Sequence, residues 1–139
     1  MGATAILGPV TTSLSESFAG TVDTTSGGVD LSGEVHVLSH VTFLSDGSVR
    51  LDVHTNVRGK GVGASGESYT VTGAGATQII EESDLKEAEV KGWAKVFSVV
   101  AAVVVVVNLK LSLSFSGANP GRFTGISVTG IEPCVDCVP

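Results

Sequence analysis

Two runs of strict alternation constrain this chain more than any other feature. Between Val29 and Leu44 the apolar residues Val29, Leu31, Val35, Val37, Val41 and Phe43 take odd positions, while Asp30, Ser32, Glu34, His36, His40 and Thr42 take even ones. Past Ser45-Asp46-Gly47-Ser48, Val49, Leu51, Val53, Thr55 and Val57 alternate with Arg50, Asp52, His54, Asn56 and Arg58. A strand sends successive side chains to opposite faces, so a period of two marks a half-buried strand. The turn residues between the runs make them a hairpin over 29–58. Its loop needs an odd number of residues, three or five, to keep both apolar faces on one side. A loop centred on Gly47 sets His40 opposite His54. One centred on Asp46 sets His40 opposite Asp52 and Leu38 opposite His54.

The flanking sequence extends the same reading. Ser13–Val22 is expected to be a first strand, and Asp23–Gly28 a loop. Residues 67–73 read as a strand, and Thr77–Ile80 as a short one. Every odd residue from Val99 to Phe115 is apolar, and the even ones are apolar up to Val106. The simplest reading is one long strand, buried on both faces at its start. Seventeen residues would span roughly 55 Å, so a bend near Ala101-Ala102 or a curl around a barrel is expected. Val103, Val105, Val107, Leu109, Leu111 and Leu113 are then expected to line the main core. Ala118-Asn119-Pro120-Gly121 is a turn, and 122–131 the last strand. Ser83 is placed to cap a short helix near 83–91 that Gly92 ends; a polar strand with a loop is the alternative. The expected fold is all-β: an antiparallel sandwich or flattened barrel of seven to nine strands, with at most one short helix. The domain spans 14–132, between an N-terminal arm, 1–13, and a tail, 133–139.

Composition excludes several classes. Valine occurs 23 times and glycine 18 times, which suits pleated strands and their turns. A net charge of −6, with eight dispersed basic residues of which only Arg58 and Lys60 are close, argues against nucleic acid or an anionic membrane surface. The apolar stretch Val96–Val107 is too short for a transmembrane helix, so no membrane insertion is expected. Met1–Ile6 carries no basic n-region of a secretory signal. The Thr/Ser/Gly/Val-rich, lysine-poor composition nevertheless suits an extracellular protein. Glycines 59, 61, 63 and 66 precede a strand rather than a helix, which excludes a phosphate-cradling loop.

The hairpin gathers the chain's chemistry on its polar face. His36, His40, Asp52, His54 and Asn56 share that face and are the candidate ligand-binding residues. Opposed Cβ atoms lie about 4.5–5.5 Å apart, so His40 and His54 with Asp52 are the candidate ligands for a divalent transition metal. His36 lies roughly 13 Å from His40 along the strand and stays outside such a set. The plainer alternative is a solvated polar face, and no other cofactor is indicated. No catalytic residue is assigned: Ser39 falls on the apolar face, and no strand-to-helix nucleophile elbow is present. Cys134-Val135-Asp136-Cys137 has neither a second pair for zinc nor a βαβ context for redox work. Cys134 and Cys137 are a disulfide candidate, with an intermolecular bridge or two free thiols left open. Glu81, Glu82, Asp84, Glu87 and Glu89 form an acidic segment read as a solvated face.

Ser32-Gly33-x-Val35-His36-Val37-x-x-His40, His54-x-Asn56 and Gly61-x-Gly63-x-x-Gly66-x-x-Tyr69-x-x-Thr72-Gly73 resemble small secreted bacterial all-β proteins of uncharacterised function, over about residues 17–75. The resemblance implies an exported β domain and carries no activity with it. Two functions are expected from the whole reading. The first is a non-enzymatic, self-associating extracellular subunit of a fibre, coat or shell, with itself as partner in a homo-oligomer or polymer. The second is a small-ligand or metal-binding barrel that uses the histidine hairpin.

Overall fold

The computed structural model describes residues 10–24, 27–81, 86–98, 103–116 and 122–134. Seven strands follow in chain order: β1 Val10–Thr24, β2 Gly27–Phe43, β3 Val49–Gly63, β4 Ser68–Glu81, β5 Glu87–Phe97, β6 Val103–Phe115 and β7 Phe123–Pro133. Each pairs antiparallel with the next in one sheet, so the protein is all-β. The sheet curls into a nearly closed barrel. An odd number of up-and-down strands leaves β1 and β7 running parallel, so no antiparallel ladder can close it. The two edges pack instead: a Cβ at Gly20 would lie 3.0 Å from Ile131 Cδ1.

Turn length sets which parity faces inward. Two hairpins share one three-residue turn. Leu44 N–H donates to Ser48 O at 2.9 Å and Gly47 N–H to Leu44 O at 3.1 Å; Gly63 and Gly66 repeat the pattern with Glu67 O and Gly63 O. Gly47 (φ 89°) and Gly66 (φ 85°) adopt the left-handed conformation that this turn requires. Ser48 donates through its hydroxyl and its N–H to Asp46, and these bonds hold that carboxyl below its ordinary pKa. Odd loops keep odd residues inside on β2, β3 and β4. Only two residues separate the paired Thr24 and Gly27, so β1 buries even residues, among them Phe18 and Val22. β1 begins at Val10, so residues 10–13 belong to the ladder rather than to an arm.

Two expectations are corrected. Residues 87–91 open β5 and are not helical; 83–85 lie outside the described residues. Ala88, Val90, Gly92, Ala94 and Val96 are buried at every second position, alternating with the exposed Glu87, Glu89, Lys91 and Trp93. The acidic segment there is the outer half of an alternating strand whose small inner residues give a faint period. The apolar stretch Val96–Val107 is also not one strand: Val96 belongs to β5 and Val103–Val107 to β6, while 99–102 lie outside the described residues. The chain reverses between Phe97 and Val103, pairing Val96 with Val105. Of the expected core, Val107, Leu109, Leu111 and Leu113 are buried and Val105 is half-buried; the Val103 side chain lies outside the described residues.

β7 carries two bulges, opposite Lys110/Leu111 and Ser114/Phe115. At each, the unpaired residue is a threonine that donates back to β6: Thr129 Oγ1 to Lys110 O and Thr124 Oγ1 to Ser114 O, both at 3.2 Å. The hydroxyls supply donors where the ladder is interrupted. β4 and β5 pair only over Thr70–Thr72 and Lys95–Phe97. Beyond that, β5 passes beneath β4. A Cβ at Gly73 would lie 1.9 Å from Trp93 O, and one at Gly92 3.6 Å from the Thr55 side chain of β3.

Candidate functional site

The Asp46-centred turn decides the register of the histidine face. His40 stands opposite Asp52, His36 opposite Asn56, and Leu38 opposite His54. β1 then supplies a hydroxyl to each of two histidines. Thr11 Oγ1 lies 2.8 Å from His40 Nδ1, and Ser15 Oγ 2.9 Å from His36 Nδ1. Asp52 accepts from Gln78 Nε2 at 2.9 Å on β4 and from Arg50 Nε at 3.3 Å on its own strand. His54 faces Leu38 on one side and Ala76 on the other.

The five residues expected on one face therefore share it, but they divide into local pairs. Among the described residues, no group of three His, Cys, Asp or Glu side chains is placed to hold a metal ion. Asp52 is already engaged by two donors, and the nearest hydroxyl occupies His40 Nδ1. Zinc at neutral pH is accordingly expected to leave the melting temperature unchanged. A ligand that binds only the native state would raise it. A rise that His40→Ala or His54→Ala removes and that His36→Ala keeps would establish the His40–His54–Asp52 site instead.

Two open clefts lie on the outer surface. The smaller, about 390 Å³, is lined by Ser15, Glu34, His36, Asn56 and Arg58. The larger, about 670 Å³, is lined by Thr77, Glu89, Val90, Lys91, Lys110, Leu111 and Thr129. Lys91 stands directly opposite Lys110, a like-charge pair eased by Glu132, whose carboxylate lies 3.3 Å from the Lys110 ammonium. Cys134 is disulfide-bonded and its N–H donates to Val106 O at 2.7 Å; Cys137, the chain's other cysteine, lies outside the described residues.

Reading the basic residues as dispersed missed what the register does with three of them. Arg58 is paired with Thr72, and Thr72 with Lys95; Lys60 is paired with Thr70 one step along. Arg58, Lys60 and Lys95 thus surround two exposed threonines on the outer face. Among the described residues none of the three has a carboxylate within ion-pair distance. Lys95 is far from the other two in sequence, and only the short β4–β5 ladder brings it there. The alternation of Ala88 to Val96 was the signal that could have placed it.

The geometry defines an all-β protein of seven antiparallel strands in a nearly closed, barrel-like sheet, with an apolar inner face and a mostly polar outer one. Comparison with known protein families, curated proteins and solved structures finds no match.

Proposed function

We propose that this chain is a non-enzymatic, extracellular β subunit that associates with copies of itself, beginning at the edge of β1. One observation carries the reading. β1 pairs with β2 over fifteen residues without a register shift, and among the described residues its other edge has no ladder partner. It contains no lysine, proline or bulge, the devices that keep edge strands from pairing. β7 has such guards, in two bulges and Pro133. The seam is tight near Gly20, where Phe18 and Val22 are buried, but Val10, Thr12 and Leu14 stay half-exposed. The free stretch is therefore the first half of β1.

The interior supports the same reading. Val35, Val37, Val57, Leu109 and Leu113 are wholly buried in one continuous core, so the barrel centre is packed with side chains. Binding falls to the surface. Native mass measurement is expected to show particles heavier than the 14.0 kDa chain. Ser13→Lys with Ser17→Lys, both at exposed β1 positions, is expected to reduce them to single chains with unchanged β circular dichroism. A wild-type protein that stays a single chain at every concentration would overturn the reading.

A further inference from the structure

Long ladders join the first four strands: β1–β2 and β2–β3 run over fifteen residue pairs each, and β3–β4 over fourteen. The next ladder stops after three, Thr70–Thr72 against Lys95–Phe97. Among the described residues, Ala74–Glu81 of β4 therefore keeps one edge without a ladder partner. This half stands clear of the barrel. Thr77 has the inward parity of β4 yet is exposed, and it borders the cleft of about 670 Å³. Like the first half of β1, Ala74–Glu81 contains no lysine, proline or register shift. The facing edge of β5 is guarded by the charged, exposed Glu87, Glu89 and Lys91. The phase of each ladder says which backbone groups the free edges offer. Gly63 N–H donates to Glu67 O, so odd residues of β4 bond β3, and Ala74, Ala76, Gln78 and Ile80 turn their N–H and C=O to the free edge. The two-residue connection between the paired Thr24 and Gly27 likewise leaves those of Thr11, Ser13, Ser15 and Ser17 at the free edge of β1.

We propose that the free half of β4 accepts the free half of β1 from a second copy, so that the meander continues from one chain into the next. The inference rests on the self-association proposed above and names the surface that receives β1. Main-chain hydrogen bonds supply the attraction, as in any strand addition. Val10–Ser17 and Ala74–Glu81 hold eight residues each and one charge each, Glu16 and Glu81. Antiparallel addition sends the two carboxylates to opposite ends, whereas parallel addition brings them to the same end. It also preserves the alternation of strand direction, because β1 and β4 already run antiparallel within one chain. Pairing the free groups of Ser13 with those of Ala76 sets Val10 opposite Ile79, Thr12 opposite Thr77 and Leu14 opposite Gly75. Val10, Leu14 and Ile79 are only half-buried in the single chain. Trp93, whose indole lies 3.5 Å from where a Cβ at Gly75 would stand, is 37% exposed. Strand addition covers all four, and leaves the hydroxyls of Thr12 and Thr77 toward the polar cleft. Donor and acceptor are the two outer edges of one four-stranded ladder and face away from each other. The contact is therefore heterologous and propagates into a ring or filament. Pairing of β1 with β1 stops at two chains and leaves β4 open.

The test blocks each edge in turn and reads native mass by light scattering or sedimentation. Ala74→Lys with Ala76→Lys, both at exposed positions, should reduce the particles to single chains with unchanged β circular dichroism, as Ser13→Lys with Ser17→Lys is expected to do from the β1 side. Should the double β4 variant fail to fold, Ala76→Lys alone takes its place. Mixed in equal amounts, the β1 and β4 variants should form pairs of chains and nothing larger, because one keeps a working β4 edge and the other a working β1 edge. Trp93 fluorescence should move to shorter wavelength as the pairs form. A mixture that stays as single chains, or that grows beyond pairs, overturns the inference. So does a folded β4 variant that keeps the wild-type mass; if the β1 variant then falls to single chains, the β1 reading stands and only its partner is wrong. A β1 variant that keeps the wild-type mass overturns both.

Discussion

Leu111→Asp is expected to yield no folded protein. Leu111 lies in mid-β6, paired with Val90 on one side and Val128 on the other, and is 1% exposed. Truncating a buried leucine to alanine costs about 2–5 kcal/mol. A carboxylate there adds the cost of an unpaired buried charge, several kcal/mol more. Together these approach the whole stability of a domain, about 5–15 kcal/mol. Asn108→Asp, which is close in shape and on the polar side of the same strand, should fold normally. Leu111→Ala should fold with a lowered denaturation midpoint. Measurement by circular dichroism and urea unfolding separates the three. A well-folded Leu111→Asp protein would mean that this face of β6 meets solvent or a partner rather than the core.

Gly73→Ala is the second large effect, and it tests the crossing of β5 beneath β4. The added methyl would sit 1.9 Å from Trp93 O and 2.7 Å from Ala94 Cα. These are backbone atoms, and they cannot swing aside as a side chain would. Overpacking of this kind costs about 1–3 kcal/mol, and rigid neighbours favour the upper end. The melting temperature should fall by roughly 5–10 °C. Trp93 is the chain's only tryptophan, and its indole lies 3.5 Å from where a Cβ at Gly75 would stand. Its fluorescence should therefore shift as β5 is displaced. Gly28→Ala is the control: its methyl would come no closer than 3.7 Å to any neighbour, and the melting temperature should hold. An unchanged melting temperature in Gly73→Ala would mean that the two strands do not cross there.

The hairpin 29–58 was legible because alternation and turn chemistry agreed. The sequence left two registers for it, and Ser45-Asp46-Gly47 selected one, since Gly47 supplies the positive φ at the third position of a three-residue loop. The shared polar face of His36, His40, Asp52, His54 and Asn56 followed from parity alone. The partners of those residues did not. Thr11 and Ser15 come from β1, and Gln78 from β4, through ladders that no local pattern announces. For 83–91 the sequence left a short helix and a polar strand open, because alanine and glycine hold three of the five inner positions of β5 and barely mark a hydrophobic period, while its charges resemble a helix start. The valine run hid a chain reversal because β-branched residues on both faces erase the parity that would have marked it.

What the sequence determined by itself is the class of this protein and the sidedness of most of its strands, because side-chain alternation is a local property of the extended chain. What only the tertiary structure decided is which strands become neighbours, how far each ladder runs, and where β4 and β5 part. Those outcomes depend on packing between residues far apart in sequence, such as Gly73 against Trp93 and Ile131 against Gly20. The gathering of Arg58 and Lys60 with Lys95 is of that kind. Their charges are written in the sequence, but the three became one surface only when a three-residue ladder joined β4 to β5.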